Sequence, residues 1–155
     1  MHRFFFLIGF VAFSIEAEVK LPAVFSDHMV LQRSNVAPVW GWADPGEKVT
    51  VQFAGQTKSA TAGDDGKWMV RLDAINNTKV ADELKVSGKN TITVKGVLVG
   101  EVWVASGQSN MAMTVGRCLS PDQEAAAAKY PQIRMFITKR NAQLKPQTDL
   151  EGSWV

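Results

Sequence analysis

The stretch from Asp44 to Phe53 reads DPGEKVTVQF and joins a tight turn to a strand. Its proline fixes its own φ angle and its glycine accepts a positive φ, so the first residues predict a turn. After the turn, Val49, Val51 and Phe53 alternate with polar residues. A period of two is typical of a strand with one face in a core and the other in water. The stretch therefore predicts β structure.

The same alternation recurs on the carboxyl side of this stretch. Trp68, Val70 and Leu72 alternate with polar residues, and the run GDDG at 63–66 separates them from a polar strand around 57–61. This order predicts a hairpin between those two strands. Short strands at intervals of about 8–12 residues are typical of sandwiches. We therefore predict an antiparallel β-sandwich over residues 18–100.

Aromatic residues supply the candidate core of this sandwich, namely Trp40, Trp42, Phe53 and Trp68. Trp68 is in phase with the apolar residues of its strand, which favours core packing. Trp40 and Trp42 share a face if their segment is extended. Tryptophans in a secreted β protein could instead stack on sugar rings, so a carbohydrate-binding face stays open as the alternative.

After Gly100 the pattern becomes that of an α/β protein. Val102–Ala105 is apolar without alternation, which predicts a strand buried on both faces. Ser120, Pro121 and Gln123 predict a helix start with a capping box. A second strand is expected at 133–137. Strand, helix and strand in this order predict a parallel pair with a right-handed crossover.

Ser109 follows the predicted buried strand closely, in the sequence SGQS. Gly107 can adopt backbone conformations that other residues avoid, so we expect a sharp turn that lifts Ser109 clear of the sheet. A serine at the carboxyl end of a buried strand is typical of a hydrolase nucleophile. The alternative is that Ser109 only caps a following helix.

The block EVWVASGQSNM, Glu101–Met111, resembles the nucleophile block of the sialate O-acetylesterase family, which are carbohydrate acetylesterases of the SGNH (GDSL-like) type. Ala112 stands where members of that family often carry a glutamate. Three further segments are similar to the family, in the family's order: LPAVFSDHMVLQR at 21–33, VWGWADPGEKVTVQF at 39–53 and AAAAKYPQIRMF at 125–136.

The resemblance implies that residues 101–155 begin a three-layer SGNH hydrolase domain. In that domain Ser109 would be the nucleophile and its backbone N–H an oxyanion donor, with Gly107, Gln108 and Asn110 supporting the motif. The implied substrate is an O-acetylated sugar or sialic acid, with no cofactor.

The resemblance also implies a histidine base in an Asp-x-x-His arrangement after the nucleophile. The two histidines, His2 and His28, both precede Ser109, and no aspartate lies three residues before His28. The sequence therefore predicts the front part of a longer esterase, inactive alone because it lacks the base. A non-catalytic sugar-binding or scaffolding protein and a non-functional relic are the alternatives.

The amino terminus has the features of a secretory leader. Met1–Arg3 is a short basic start, and Phe4–Phe13 is apolar apart from Gly9. Ten residues fit a signal-peptide core, whereas spanning a bilayer takes roughly 20. A buried first strand is the alternative. We expect residues 1–17 to be removed after Ala17 and the protein to be secreted or periplasmic.

Composition narrows the possible partners. The net charge of +2 is too small to predict a nucleic-acid or anionic membrane partner. Cys118 is the one cysteine of the sequence, so no intrachain disulfide can form. The histidines and the cysteine lack the spacing of a zinc site, and we predict neither a metal nor a cofactor.

Overall fold

The structure is a computed structural model that describes residues 18–76 and 82–155, so the predicted leader lies outside the described residues. The described chain is rich in strands and has few helices. The strands are β1 (Val30–Gln32), β2 (Ala37–Trp42), β3 (Lys48–Phe53), β4 (Gln56–Thr61), β5 (Lys67–Leu72), β6 (Asp82–Ser87), β7 (Thr91–Gly100), β8 (Phe136–Thr138) and β9 (Gly152–Trp154). The helices are two 3₁₀ turns, Ser109–Ala112 and Val115–Arg117, and the α-helix α1, Pro121–Ala127.

Two sheets carry the first hundred residues. Strands β1, β7, β6, β3 and β4 form one sheet in that order, in which β1 is parallel to β7 and the other neighbours are antiparallel. Strands β2 and β5 form an antiparallel pair. Both sheets contribute to a single cluster of buried apolar side chains, among them Val39, Val49, Val51, Leu72 and Leu84. The predicted strand at Val49–Phe53 is confirmed.

The predicted hairpin across residues 63–66 is wrong. Strand β4 pairs with β3, and β5 pairs with β2, so this loop carries the chain from one sheet to the other. The true hairpin is β3–β4, and its two-residue turn is Ala54–Gly55 with φ of 48° and 77°. Positive φ at both central residues is the type I′ pattern, whose twist matches that of the strands. This turn lacks the usual Asn-Gly or Asp-Gly signal.

The aromatic core prediction is confirmed for Phe53 and Trp68, which are buried. Trp40 is partly buried and packs edge-to-face against Phe25, with ring centroids 4.5 Å apart. Trp42 is partly exposed. The two tryptophans of β2 alternate with buried positions, so they share a face, as predicted.

The expected strand at Val102–Ala105 does not form. Trp103 is 85% exposed and Val104 is 93% exposed. Strand β8 pairs antiparallel with β9, so the described chain contains no parallel β-α-β unit after Gly100. A segment that is apolar on both faces forms a buried strand only where other elements pack against both faces. No described element packs against Val102–Ala105 in this way.

The helix after Ser120 begins at Pro121, as predicted, and ends at Ala127. The predicted capping box is wrong, because Ser120 makes no side-chain cap bond. Its φ of 58° is left-handed, whereas a capping residue usually has extended backbone.

No helix among the described residues is long and apolar enough to cross a membrane.

Three side chains attach the β8–β9 region to the sheets. Asp149 Oδ1 accepts a hydrogen bond from the backbone N–H of Ala23 at 3.0 Å, and Trp154 Nε1 donates to the carbonyl of Val24 at 2.9 Å. Arg134 Nη1 donates to the carbonyls of His28, at 2.8 Å, and Gly96. These bonds join residues 134–154 to the loop at 23–28 and to β7.

Candidate active site around Ser109

Ser109 is the first residue of a 3₁₀ turn and is exposed. The capping position is Gln108, so Ser109 does not cap this turn. The backbone holds the turn by bonds from the N–H of Met111 to the carbonyl of Gln108, 2.9 Å, and from Met113 to Asn110, 3.2 Å. Within the described part of the chain, the Ser109 hydroxyl makes no hydrogen bond, so it is available to an incoming group.

Gly107 has a role different from the predicted one. It is not among the glycines with positive φ, so no left-handed conformation produces the turn. A Cβ at this position would lie 2.6 Å from Met111 Cγ. The glycine therefore permits the close approach of the Met111 side chain across the turn.

A shallow cavity of about 480 Å³ lies further along the same segment. Its walls are apolar apart from Thr114 and Glu124, and they include Cys118. Ser109 is not one of its lining residues. The structure therefore does not join this cavity to the serine.

His28 lies in the loop before β1, and none of its described hydrogen bonds involves Ser109. It is exposed, its φ is 70°, and its carbonyl accepts from Arg134. The neighbouring Asp27 carboxylate accepts a hydrogen bond from the Lys95 N–H at 2.7 Å. No hydrogen bond joins Ser109 to a histidine in residues 18–76 and 82–155, and His2 lies outside these ranges. The nucleophilic role of Ser109 stays a prediction.

Glu101 fixes the point at which the segment 101–111 leaves β7. Its carboxylate accepts from Gln32 Nε2 at 3.0 Å and from Arg33 Nε at 2.6 Å. The Gln32 hydrogen bond, followed by that of Arg33, lowers the pKa of the Glu101 carboxyl below its usual value of 4.5. Gln32 Oε1 also accepts from the Val102 N–H at 2.9 Å. Sequence reasoning missed this anchor, because its donors, Gln32 and Arg33, lie 69 and 68 positions away and come close only once β1 pairs with β7.

Sequence reasoning also missed Arg134, although it stands out as a lone cation between Ile133 and Met135.

The described residues contain no group of three or more His, Cys, Asp and Glu side chains that could hold a metal ion. The site thus consists of an exposed serine turn on a segment held at its start by Glu101.

Known proteins resemble this chain over most of its length. The mouse sialate O-acetylesterase is 31% identical over 96% of the chain, and the rat protein of the same name is 32% identical over 87%. The chain is a homologue of the sialate O-acetylesterases. It spans about 30% of the length of these relatives. No family model matches the sequence.

A solved structure supports the same relationship. The crystal structure of a carbohydrate acetylesterase from Xanthomonas citri superposes with a TM-score of 0.84 at 36% identity. The match covers 89% of this chain and 32% of that one. The predicted resemblance to the family is therefore confirmed.

Proposed function

We propose that this chain supplies the nucleophile of a serine esterase that removes O-acetyl groups from sugars. The match to the Xanthomonas citri carbohydrate acetylesterase over 89% of the chain is the main support. The relatives named sialate O-acetylesterase point to the same class of substrate, an acetylated carbohydrate. We assign residues 18–100 to a β-sandwich domain and residues 101–155 to the start of an SGNH-type hydrolase domain.

In the proposed reaction, Ser109 Oγ attacks the carbonyl carbon of the acetyl ester while a base takes its proton. The resulting oxyanion accepts a hydrogen bond from the backbone N–H of Ser109. The intermediate collapses, the C–O bond to the sugar breaks, and the sugar oxygen leaves with the proton. Water then attacks the acetyl-serine, which releases acetate and restores the hydroxyl.

The conformation of the turn supports this role. Ser109 neither caps the turn nor donates to another described group, so no hydrogen bond of its hydroxyl has to break before it meets an ester. The first N–H groups of a helical turn have no acceptor within it. The N–H of Ser109 is therefore free of the turn's own hydrogen bonds.

The base is the missing member of the proposed mechanism. Neither histidine of the sequence follows Ser109. We therefore propose that residues 18–155 alone hydrolyse acetyl esters at close to the uncatalysed rate, and that the active protein brings a histidine from elsewhere. A leader at residues 1–17 would direct the protein out of the cytoplasm, where acetylated glycans are accessible.

Two serines in the same block provide the test. Acetate release from acetylated xylan and from O-acetylated sialic acid is measured with the protein purified from its natural source. Ser109→Ala should lower the rate by at least about a thousandfold, because the covalent step is lost. Ser106→Ala changes another exposed serine three residues earlier; it is the matched control and should retain activity. Equal activity of the two variants would contradict the assignment.

A further inference from the structure

The segment that carries the serine, residues 102–133, is attached to the sheets at both of its ends. At its start, the Glu101 carboxylate is held by two side chains at the end of β1. Directly after its end, Arg134 Nη1 donates to the carbonyls of His28, at 2.8 Å, and Gly96. Gly96 lies in β7, four residues before the carboxyl end of that strand. Both attachments therefore involve the β1–β7 edge of the sheet, at points separated by roughly 13 Å.

The two carbonyls that accept from Arg134 are held in place by other bonds. The register between β6 and β7 shifts at Lys95 and Gly96, as in a β-bulge, whose extra residue is left out of the ladder. The His28 N–H donates to the Lys95 carbonyl at 2.8 Å, and the Lys95 N–H donates to Asp27 Oδ1 at 2.7 Å. The loop before β1 is thus bonded to the bulge, and the carbonyl pair forms a prepared acceptor site for a guanidinium.

Local hydrogen bonds connect the serine turn to Arg134 along the chain. Backbone bonds within residues 114–118, within α1 and within residues 130–133 follow those of the serine turn. Among the described residues, no hydrogen bond joins residues 103–133 to residues 18–100, and none of residues 103–133 is buried. The attachments at the two ends are therefore what hold this segment to the sheets.

Arg134 is the first attachment that follows the serine in the chain. Asp149 and Trp154, which also bond to the loop at 23–28, lie 15 and 20 positions after Arg134. Without Arg134, the loop with fixed ends would extend over residues 102–148 instead of ending at 133. The arginine therefore limits how far the serine turn can move from the sheets.

We propose that Arg134 is a positioning residue for Ser109, an inference that rests on the esterase function proposed above. With its guanidinium on the two carbonyls, the serine segment has two fixed ends, and the Ser109 hydroxyl samples fewer positions than it would on a segment fixed only at its start. Arg134 does not touch the substrate and acts through the placement of the serine. Reaction rates depend steeply on such placement, since a displacement of about 1 Å can cost roughly a hundredfold.

Steady-state kinetics of the protein purified from its natural source test this role, on the acetylated substrate that the wild type hydrolyses. Arg134→Ala should lower kcat per folded molecule by about 10- to 100-fold and change KM by less than about twofold, because the lost group aligns the serine without binding the substrate. The folded fraction is taken from urea unfolding. Arg140→Ala is the matched control and should leave kcat unchanged, since Arg140 is exposed and makes no hydrogen bond or ion pair within the described chain.

Two further measurements separate positioning from a general loss of stability. Guanidinium chloride at about 50 mM, far below the molar concentrations that unfold proteins, should restore part of the kcat of Arg134→Ala, because the cation can bind to the vacated carbonyl pair. It should not raise the kcat of the wild type or of Arg140→Ala. Arg134→Lys keeps the charge without the planar fork and should have an intermediate kcat, which keeps the test open if Arg134→Ala fails to fold.

The outcomes distinguish this inference from the proposed function. If Ser109→Ala is inactive and Arg134→Ala keeps a kcat within about twofold of the wild type, the positioning role alone is overturned. A rise in KM without a fall in kcat would overturn it too, because it would place Arg134 at the substrate. Failure of guanidinium to restore any activity to folded Arg134→Ala would also contradict it. Full activity of Ser109→Ala would instead overturn the proposed function on which the inference rests.

Discussion

Residues 18–100 and residues 101–155 both contain valines in apolar segments, but the degree of burial of these valines differs greatly. Val49 and Val51 of β3 are completely buried, whereas Val104 is 93% exposed. The first two belong to a central strand with a neighbour on each side. Val104 lies four residues after the end of β7 and has no neighbouring strand. An apolar residue is buried only when other elements cover it, so the pattern of one segment does not determine its burial.

The two regions also differ in content: one holds the buried core, and the other holds the proposed nucleophile. The buried apolar cluster of the described chain consists of residues from Val19 to Val99. The proposed nucleophile lies in the other region, on a turn without buried residues. We infer that the sheets stabilise the chain and that the later segment carries the reactive group. Stability and reactivity should therefore respond to different substitutions.

A matched pair of leucines gives the largest expected contrast. Leu72→Ala removes a fully buried side chain from β5 and should lower the free energy of unfolding by about 3–5 kcal/mol, through lost transfer energy and a cavity. Leu119→Ala changes a side chain that is 92% exposed and should cost less than about 0.5 kcal/mol. Urea unfolding measures both. Similar losses would mean that the later region has a core of its own.

Arg134 should have an intermediate effect, because it binds two backbone carbonyls of the first region. Arg134→Ala should free residues 134–154 at a cost of about 1–2 kcal/mol, since bonds from a charged donor are lost. The readout is exchange of the Trp154 indole proton, which bonds to the Val24 carbonyl. We expect it to speed up about tenfold. Arg134→Lys keeps the charge without the planar guanidinium fork, so its exchange rate should lie between those of the wild type and Arg134→Ala. An unchanged rate would show that docking does not need Arg134.

The smallest expected effect is a dependence of folding stability on pH, which arises from the Glu101 carboxyl. Its pKa is lowered in the folded chain, chiefly by the Gln32 hydrogen bond. A lowered carboxyl pKa stabilises the fold above the unfolded-state pKa, and this contribution is lost as pH falls through the folded value. In an NMR titration of the Glu101 carboxyl, the midpoint should lie below 4.5 and rise in Gln32→Ala. A midpoint at 4.5 or above in the wild type would rule out this anchor.

Local patterns predicted the elements of the first region well. The alternation in Val49–Phe53 and at Trp68 identified strands and buried residues correctly. The same patterns could not assign partners, because the β3–β4 turn has no strong signal. Pairing depends on which strands meet in space, and the sequence of one hairpin does not contain that information.

At the candidate site, too, local patterns identified the segment but not the residues that it contacts. The serine block and its family resemblance were visible in the sequence, and the homologues confirm the resemblance. The strand preceding Ser109 was predicted as buried, because it is apolar on both faces. Such a strand forms only between covering layers, and these are absent from the described chain. The anchors Glu101 and Arg134 contact residues more than 60 positions away, so no local pattern could identify them.

Amide hydrogen exchange at Val51 and Val104 in one sample tests the contrast between the two regions most directly. Val51 should exchange only by global unfolding and therefore be protected by at least about a thousandfold. Val104 should exchange at nearly the rate of an unstructured peptide, because it is exposed and lies outside any strand. Protection of Val104 equal to that of Val51 would contradict the account, because it would show a packed strand ahead of Ser109.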